Sequence, residues 1–576
     1  MGVLRMALPV TRVAARVTPG VGRRLLGATL LRCVMPNWVL LRPSPVARRV
    51  AWAAEAVELY RSAGTEMRPD GLARALVLHG QVLLLAERYE EAIAAVDAST
   101  AVPGARPSPA QTAGALRTRA QALLDAGRAE DALAPARECV ERYRGAPLPA
   151  RRDRSLGGLP LALLTVALVL GRLGRVAESV AVHEECAEIL RAMPVRQLGR
   201  FGLTRPRVLV ELIDGLGALG RHEEALALGA EAEEALPGTV AWVSPELVHY
   251  LRVRLSTALA RSRLATGRTA EARDTAEEAV AQAREGVVRH PVRGPLWLAD
   301  ALGCLALVLR EVKAHEEELG VRRELVDLYA RLAADRSTDY ETYLVDALAA
   351  LSAVHDALGE HAGSVAATER GVVVLRGLVE RDPAAFEPHL ARRLADLSID
   401  QQNAGEVERA VATAREAVAL SRRLAETDWQ RYTPLTARQL RVLGAGLRRT
   451  GDHAGAVASH AEAEALLRDV VEQSDDGRHV ADLDRTRLLL ARALRRAATA
   501  DGVADAVPAL RSLLALTHRT DATAVHATCV RAFAEACEEH QDDVVREWER
   551  VTGEPYPTFV YRCTTDRGRG SKPAAR

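Results

Sequence analysis

Large apolar and small residues recur along this chain at fixed distances from a set of glycines. Eight residues before them lie Leu212, Leu259, Leu305, Leu351, Leu397 and Leu443. Seven before, the side chain is small: Ala120, Ala167, Ala260, Ala306, Ser352, Ser398 and Gly444. Five after, it is small again, at Ala132, Ser179, Ala225, Ala272, Ser364, Ala410 and Ala456. Twelve after come Cys139, Cys186, Ala232, Ala279, Gly371, Ala417 and Ala463. Large and small residues at these offsets predict two helices packed knob against notch across a tight turn. The glycine stands where the first helix ends and a left-handed backbone is wanted.

The turn positions are Gly127, Gly174, Gly220, Gly267, Lys313, Gly359, Gly405 and Gly451, in steps of 47, 46, 47, 46, 46, 46 and 46. Chance does not hold such a register. Lys313 and Glu318 break the Gly and small-residue rule in one copy. A second mark keeps the phase: Tyr340, Phe386 and Tyr432 are 46 apart, and Pro388 and Pro434 follow the last two. A Pro there predicts the first turn of a helix, with the aromatic packed in the seam between copies. Further copies are expected at Glu87 and near Asp501, irregularly spaced as terminal copies that cap a repeat array. The Gly/Pro-rich stretches 102–109 and 145–160 are expected to be loops. The organisation that follows is a basic extension over 1–48 without fixed structure, a helical array over 49–550, and a largely disordered tail over 551–576.

These offsets resemble the tetratricopeptide repeat, whose signature has Leu-Gly in the first helix, Gly at the turn and Ala early in the second helix. The resemblance covers roughly residues 50–545, and repetition gives it its specificity. It implies an all-α fold, a right-handed α-solenoid of stacked antiparallel helix pairs. The usual period is about 34 residues; the 46 found here implies longer helices, as in kinesin light chain and some large bacterial regulators.

Composition narrows the class. Hydrophobic residues make up 48% and aromatics only 3%, which suits helix packed on helix and not an aromatic-rich core. Of the 77 basic residues all but Lys313 and Lys572 are Arg. Net charge is +1, so the chain as a whole gives no reason to expect nucleic acid as a partner. Residues 1–54 carry nine Arg and no acidic residue, a pattern open to two readings: an arm for an acidic surface, or a poorly ordered extension, which we expect. Arg23-Arg24 precedes Leu25-Leu26, but Arg32 and Cys33 interrupt any export signal. No window approaches the roughly 18 apolar residues of a membrane span. Seven Cys without framework spacing suit a reducing compartment. The expectation is a cytoplasmic protein.

Candidate chemistry is sparse. Gly215-Leu-Gly217-Ala-Leu-Gly220 matches the dinucleotide fingerprint, which needs a strand before it; the repeat register instead puts it inside a helix pair. His526/Cys529 and Cys537/His540 look like two half-sites for zinc, yet at 1.5 Å per residue they would lie roughly 16 Å apart. His183-Glu-Glu-Cys186 and His315-Glu-Glu-Glu318 read as solvated helix faces. No nucleophile elbow, Walker loop or HExxH motif is present, and the repeats leave little room for a catalytic domain. We therefore expect no enzyme, no catalytic residue, no cofactor and no metal.

The expected function is that of a scaffold holding a partner protein or peptide along the groove lined by first helices. The alternatives are a ligand-sensing regulator acting through a separate effector chain, and an enzyme with an unrecognised groove site. Arg392 and Arg438 are related by the 46-residue shift, as are Gln402 and Arg448. Arg438, Arg441 and Arg448 share one helical face, at spacings of three and seven. These five residues are the candidate partner-binding set, suited to an acidic peptide because Arg offers bidentate hydrogen bonds.

Overall fold

The computed structural model describes residues 8, 11–12, 25–31, 46–62, 69–145, 158–193, 204–236, 245–335, 339–473, 478–500, 503–520, 525–538, 542–553 and 555. Among them every regular element is a helix. In order these are α1 (Val46–Ser62), α2 (Pro69–Leu85), α3 (Tyr89–Thr100), α4 (Pro109–Asp125), α5 (Ala129–Arg144), α6 (Gly158–Arg172), α7 (Val176–Arg191) and α8 (Thr204–Ala218). Then come α9 (His222–Ala235), α10 (Pro245–Ala265), α11 (Thr269–Arg289), α12 (Gly294–Glu311), α13 (His315–Asp335), α14 (Asp339–Ala357), α15 (His361–Arg381) and α16 (Pro383–Asn403). The last are α17 (Val407–Thr427), α18 (Trp429–Thr450), α19 (His453–Gln473), α20 (Val480–Ala500), α21 (Val503–Arg519), α22 (His526–Glu538) and α23 (Asp542–Thr552). The contacts divide the chain into two units, Met1–Lys313 and Ala314–Arg576. The boundary falls in the copy where Lys313 replaces Gly.

The turns explain the register. Gly127, Gly174, Gly220, Gly267, Gly359, Gly405 and Gly451 all have φ between 72° and 86°. The non-glycine residues at positive φ among those described are Glu87 (58°) and Lys313 (59°), both at repeat positions lacking Gly. After each glycine the next N–H reaches back to close the helix end: Arg128 N–H donates to Leu123 O at 2.8 Å, Glu406 to Gln401 O at 2.8 Å. This is the Schellman closure, and it satisfies carbonyls the helix would otherwise leave bare.

Across each turn the helices run antiparallel. The Cys139 thiol donates to Ala113 O at 3.1 Å and that of Cys186 to Pro160 O at 3.4 Å. Each pair joins the end of a second helix to the start of its first. The predicted small residues lie in these contacts: Ala120, Ala132, Ala232, Ala260, Ala272, Ala410 and Ala417 are all fully buried. First helices also pack on first helices of the next pair, as α2 on α4 and α10 on α12 in unit 1, and α16 on α18 and α18 on α20 in unit 2. Second helices meet through side chains instead. Arg376–Glu416 (2.8 Å) and Arg422–Glu462 (2.6 Å) are one period apart, and unit 1 repeats the device with Arg144–Glu185 and Arg191–Glu231. Most of these side chains are exposed, so each pair contributes at most about 1 kcal/mol.

The long period has a plain cause. Two 21-residue helices (α16 and α17), three turn residues and the capping Asp428 fill residues 383–428. Pro388 and Pro434 correct the expectation drawn from them. They lie inside α16 and α18, whose starts are set by Asp382 and Asp428. These carboxylates accept from Ala385 N–H and Arg431 N–H, both at 3.1 Å. Phe386 and Tyr432 are half-buried against the cluster containing Leu375, Leu378 and Leu390, as the seam position requires. In the N-terminal extension, residues 25–31 are helical, and Leu26, Leu30 and Leu31 are buried with Ala56, Val57 and Leu76. Residues 146–157, 501–502 and the tail from 556 lie outside the described residues.

Candidate partner-binding face of unit 2

Within unit 2 the charge on the first helices changes along their order. α14 has four acidic residues and no Arg or Lys; α16 has three acidic residues and two Arg. α18 has five Arg and no acidic residue, and α20 has five Arg and two Asp. Together α18 and α20 carry a net of eight positive charges in a chain whose total is +1.

The expected site residues are distributed unevenly over this face. Arg438 is half-exposed and donates from Nη2 to Asp396 Oδ1 at 3.2 Å. Arg441 is nearly covered and donates from Nη1 to Asp482 Oδ1 at 3.0 Å. Asp396 also takes Arg393, at 3.3 Å. Arg448 is half-exposed, and burial first, then Arg496, Arg449 and Arg492, hold its guanidinium below the usual range. Arg448, Arg449, Arg485 and Arg492 form no ion pair among the described residues. Arg392 is exposed on α16. Gln402 departs from the expectation: it is 7% exposed, and its amide donates to Ser398 Oγ (3.4 Å) and Val442 O (3.5 Å). A side chain that ties α16 to α18 in the interior is not part of an exposed strip.

A cavity of about 360 Å³ opens between α18, α19 and α20, lined by Pro434, Arg438, Arg441, Leu467, Asp482 and Arg485. Two of its cations came from the expected set. Arg485 did not, because α20 follows an irregular step where the 46-residue shift no longer carries over. The pattern that could have found it is internal to α20: Arg485, Arg492 and Arg496 are spaced by seven and four, on one helical face. Arg487 is different; it is buried and donates to the buried Glu464 at 3.2 Å. A hollow of about 390 Å³ in unit 1, between Val46, Val50 and Leu85–Arg88, lacks such convergence, since Glu87 pairs with Arg293 and Arg88 with Glu91.

The other candidates resolve into packing. Gly215 and Gly217 lie inside α8, and Val208–Ile213 is helix where a nucleotide fold needs strand. Cys529 is buried and His526 Nδ1 lies 3.1 Å from Thr517 O; the side chain of Cys537 and all of His540 lie outside the described residues. His183 and Glu318 correct the solvated-face reading, at 3% and 1% exposure. Burial drives the His183 imidazole down to about 4, and Glu318 is held by Arg322 at 3.3 Å. Among the described residues no group of His, Cys, Asp and Glu could hold a metal ion, and no helix is long and apolar enough to cross a membrane.

No family model matches the chain, and no curated protein does. Solved structures do. The apo form of RapI is 12% identical, with a TM-score of 0.41, covering 69% of this chain and 100% of its own. The apo form of the quorum sensor NprR from B. thuringiensis is 13% identical, with a TM-score of 0.43, covering 65% and 98%. A Rap protein complexed with Competence and Sporulation Factor is 12% identical, with a TM-score of 0.38, covering 71% and 99%.

Proposed function

We propose that the chain is a tetratricopeptide-type scaffold of 46-residue period that holds a peptide segment of a partner protein along the first helices of unit 2. The observation that carries this reading is the α18–α20 cavity. Three guanidiniums and one carboxylate converge there over the apolar Pro434 and Leu467. A few polar groups on an apolar floor is the arrangement that seats a side chain and fixes its direction. Exposed first helices beside it supply length for an extended segment. A reducing, cytoplasmic setting suits the four buried thiols Cys139, Cys186, Cys304 and Cys529.

The cavity volume also falls in the range of small-ligand sites, which favours a second reading: a regulator that senses a small anion and acts through another chain. The full chain is used to capture partners, and the identified partner is then titrated against wild type and the Arg438→Glu/Arg448→Glu variant. The scaffold reading expects binding at least about tenfold weaker, with a melting temperature nearly unchanged, lowered only by the loss of the half-exposed Arg438–Asp396 pair. Equal affinity for both proteins removes this face from the function.

A further inference from the structure

We infer that the face formed by α18 and α20 is a docking strip for an acid-rich segment of a partner protein, with one anionic side chain of that segment seated beside Arg485. This rests on the scaffold reading above and adds the chemistry of the partner. Four observations support it. The positive charge is concentrated: ten Arg against two Asp on two neighbouring first helices. It is ordered: Arg438, Arg441 and Arg448 follow one face of α18, and Arg485, Arg492 and Arg496 one face of α20. The two helices pack on one another. The internal carboxylates are already used, Asp396 by Arg393 and Arg438, Asp482 by Arg441, leaving Arg448, Arg449, Arg485 and Arg492 without ion pairs among the described residues. Like charges gathered on a folded surface repel one another, and an anionic partner relieves that cost; at Arg448 the neighbouring Arg496, Arg449 and Arg492 add to burial, the larger cause, in holding the guanidinium below its usual range.

The same observations favour an acidic peptide over a nucleic acid. Half-buried Leu489 lies between Arg485 and Arg492, and half-exposed Ala445 between Arg441 and Arg448, so the strip alternates charge with aliphatic surface. Single-stranded nucleic acid is held by aromatic platforms; α20 carries no aromatic side chain, and the two on α18, Trp429 and Tyr432, stand at its start, before the strip begins at Arg438. A polyanion continued along the first helices would also meet α14, with its four carboxylates and no Arg or Lys. A peptide can be acidic over α18 and α20 and neutral or basic over α14.

The test uses the full chain and a labelled Glu-rich peptide of about ten residues, some 33 Å when extended, with an uncharged peptide and a single-stranded oligonucleotide of similar length alongside. The expected result is binding of the Glu-rich peptide that weakens as salt is raised from about 50 to about 300 mM. Arg485→Glu/Arg492→Glu should cost about tenfold in affinity, and Arg485→Gln/Arg492→Gln somewhat less, with melting temperatures unchanged. Arg415→Glu, an exposed position on the second helix α17, should cost nothing. Absence of binding, equal loss with Arg415→Glu, or a preference for the oligonucleotide would overturn the inference. Ala445→Trp separates this failure from that of the scaffold reading, since it obstructs the face without altering charge. If Ala445→Trp blocks the captured partner while the charge reversals do not, the face is right and its acidic occupant wrong.

Discussion

The hydroxyl of Ser398 donates to the carbonyl oxygen of Ala410 across 2.8 Å. These residues stand seven before and five after Gly405, and the same two offsets meet at Ser179 and Ala167 (2.8 Å) and at Ser352 and Ser364 (2.9 Å). The small-residue positions are therefore contact pairs at the closest approach of two helices. Ala410 is fully buried, so Ala410→Trp should overpack the pair and cost about 1–3 kcal/mol or more. Thermal melting reads this directly; a curve identical to wild type would mean that the helix pair is phased differently.

The turn conformation gives a test with two opposite signs. Lys313 holds φ at 59° where its counterparts are glycine, so Lys313→Gly should stabilise by up to about 1 kcal/mol. Gly405, at φ 83°, has open space where a Cβ would stand. Gly405→Ala should therefore destabilise by about 1 kcal/mol through backbone strain alone. Chemical denaturation of the two variants should move the midpoint in opposite directions.

Acid should unfold the protein earlier than its surface charge suggests. His183 and His460 are buried, and each is lowered to about 4, by burial first, with Arg207 near His183, and Arg448 and Arg441 near His460. The unfolded chain binds these protons near 6.5, so their stabilising contribution is complete above that pH. It is lost as pH falls towards 4, on the order of 3 kcal/mol for each. Asp400, raised by burial, runs in the opposite sense. Melting from pH 7 to pH 4.5 should accordingly show a smaller loss in His460→Gln, relative to its own value at pH 7, than in wild type.

The Asp caps should be worth more than their exposure implies. Asp382 and Asp428 each close one helix and open the next, accepting a backbone N–H of the new first turn. Asp428→Ala should cost about 1 kcal/mol, and Asp428→Asn should recover most of it, both measured by chemical denaturation.

Much of this architecture was legible because the packing rule is periodic. Leu397 with Leu443, Ser398 with Gly444 and Ala410 with Ala456 repeat at one interval, and a periodic signal survives the loss of one member at Lys313. The helix starts were harder to read. Pro388 and Pro434 suggest a helix start, whereas Asp382 and Asp428, each six residues earlier, set the boundary through a hydrogen bond that many surface Asp could have made. The site was half legible. Arg438 and Arg441 share a face that spacing alone reveals, but spacing does not tell whether Gln402 points outward. Its burial follows from the approach of α16 to α18 at Val442, a contact between helices 40 residues apart. Arg485 was missed because α20 has lost the register that marked the others.

The most direct test of the scaffold account is arginine-selective chemical labelling of the full chain, with and without its captured partner, read by mass spectrometry. The account predicts protection of Arg438, Arg448, Arg485 and Arg492 on the first helices of unit 2. Arg415 and Arg423, on the second helix α17, should label as before. Protection of Arg415 and Arg423 with the α18 and α20 arginines still reactive would contradict it.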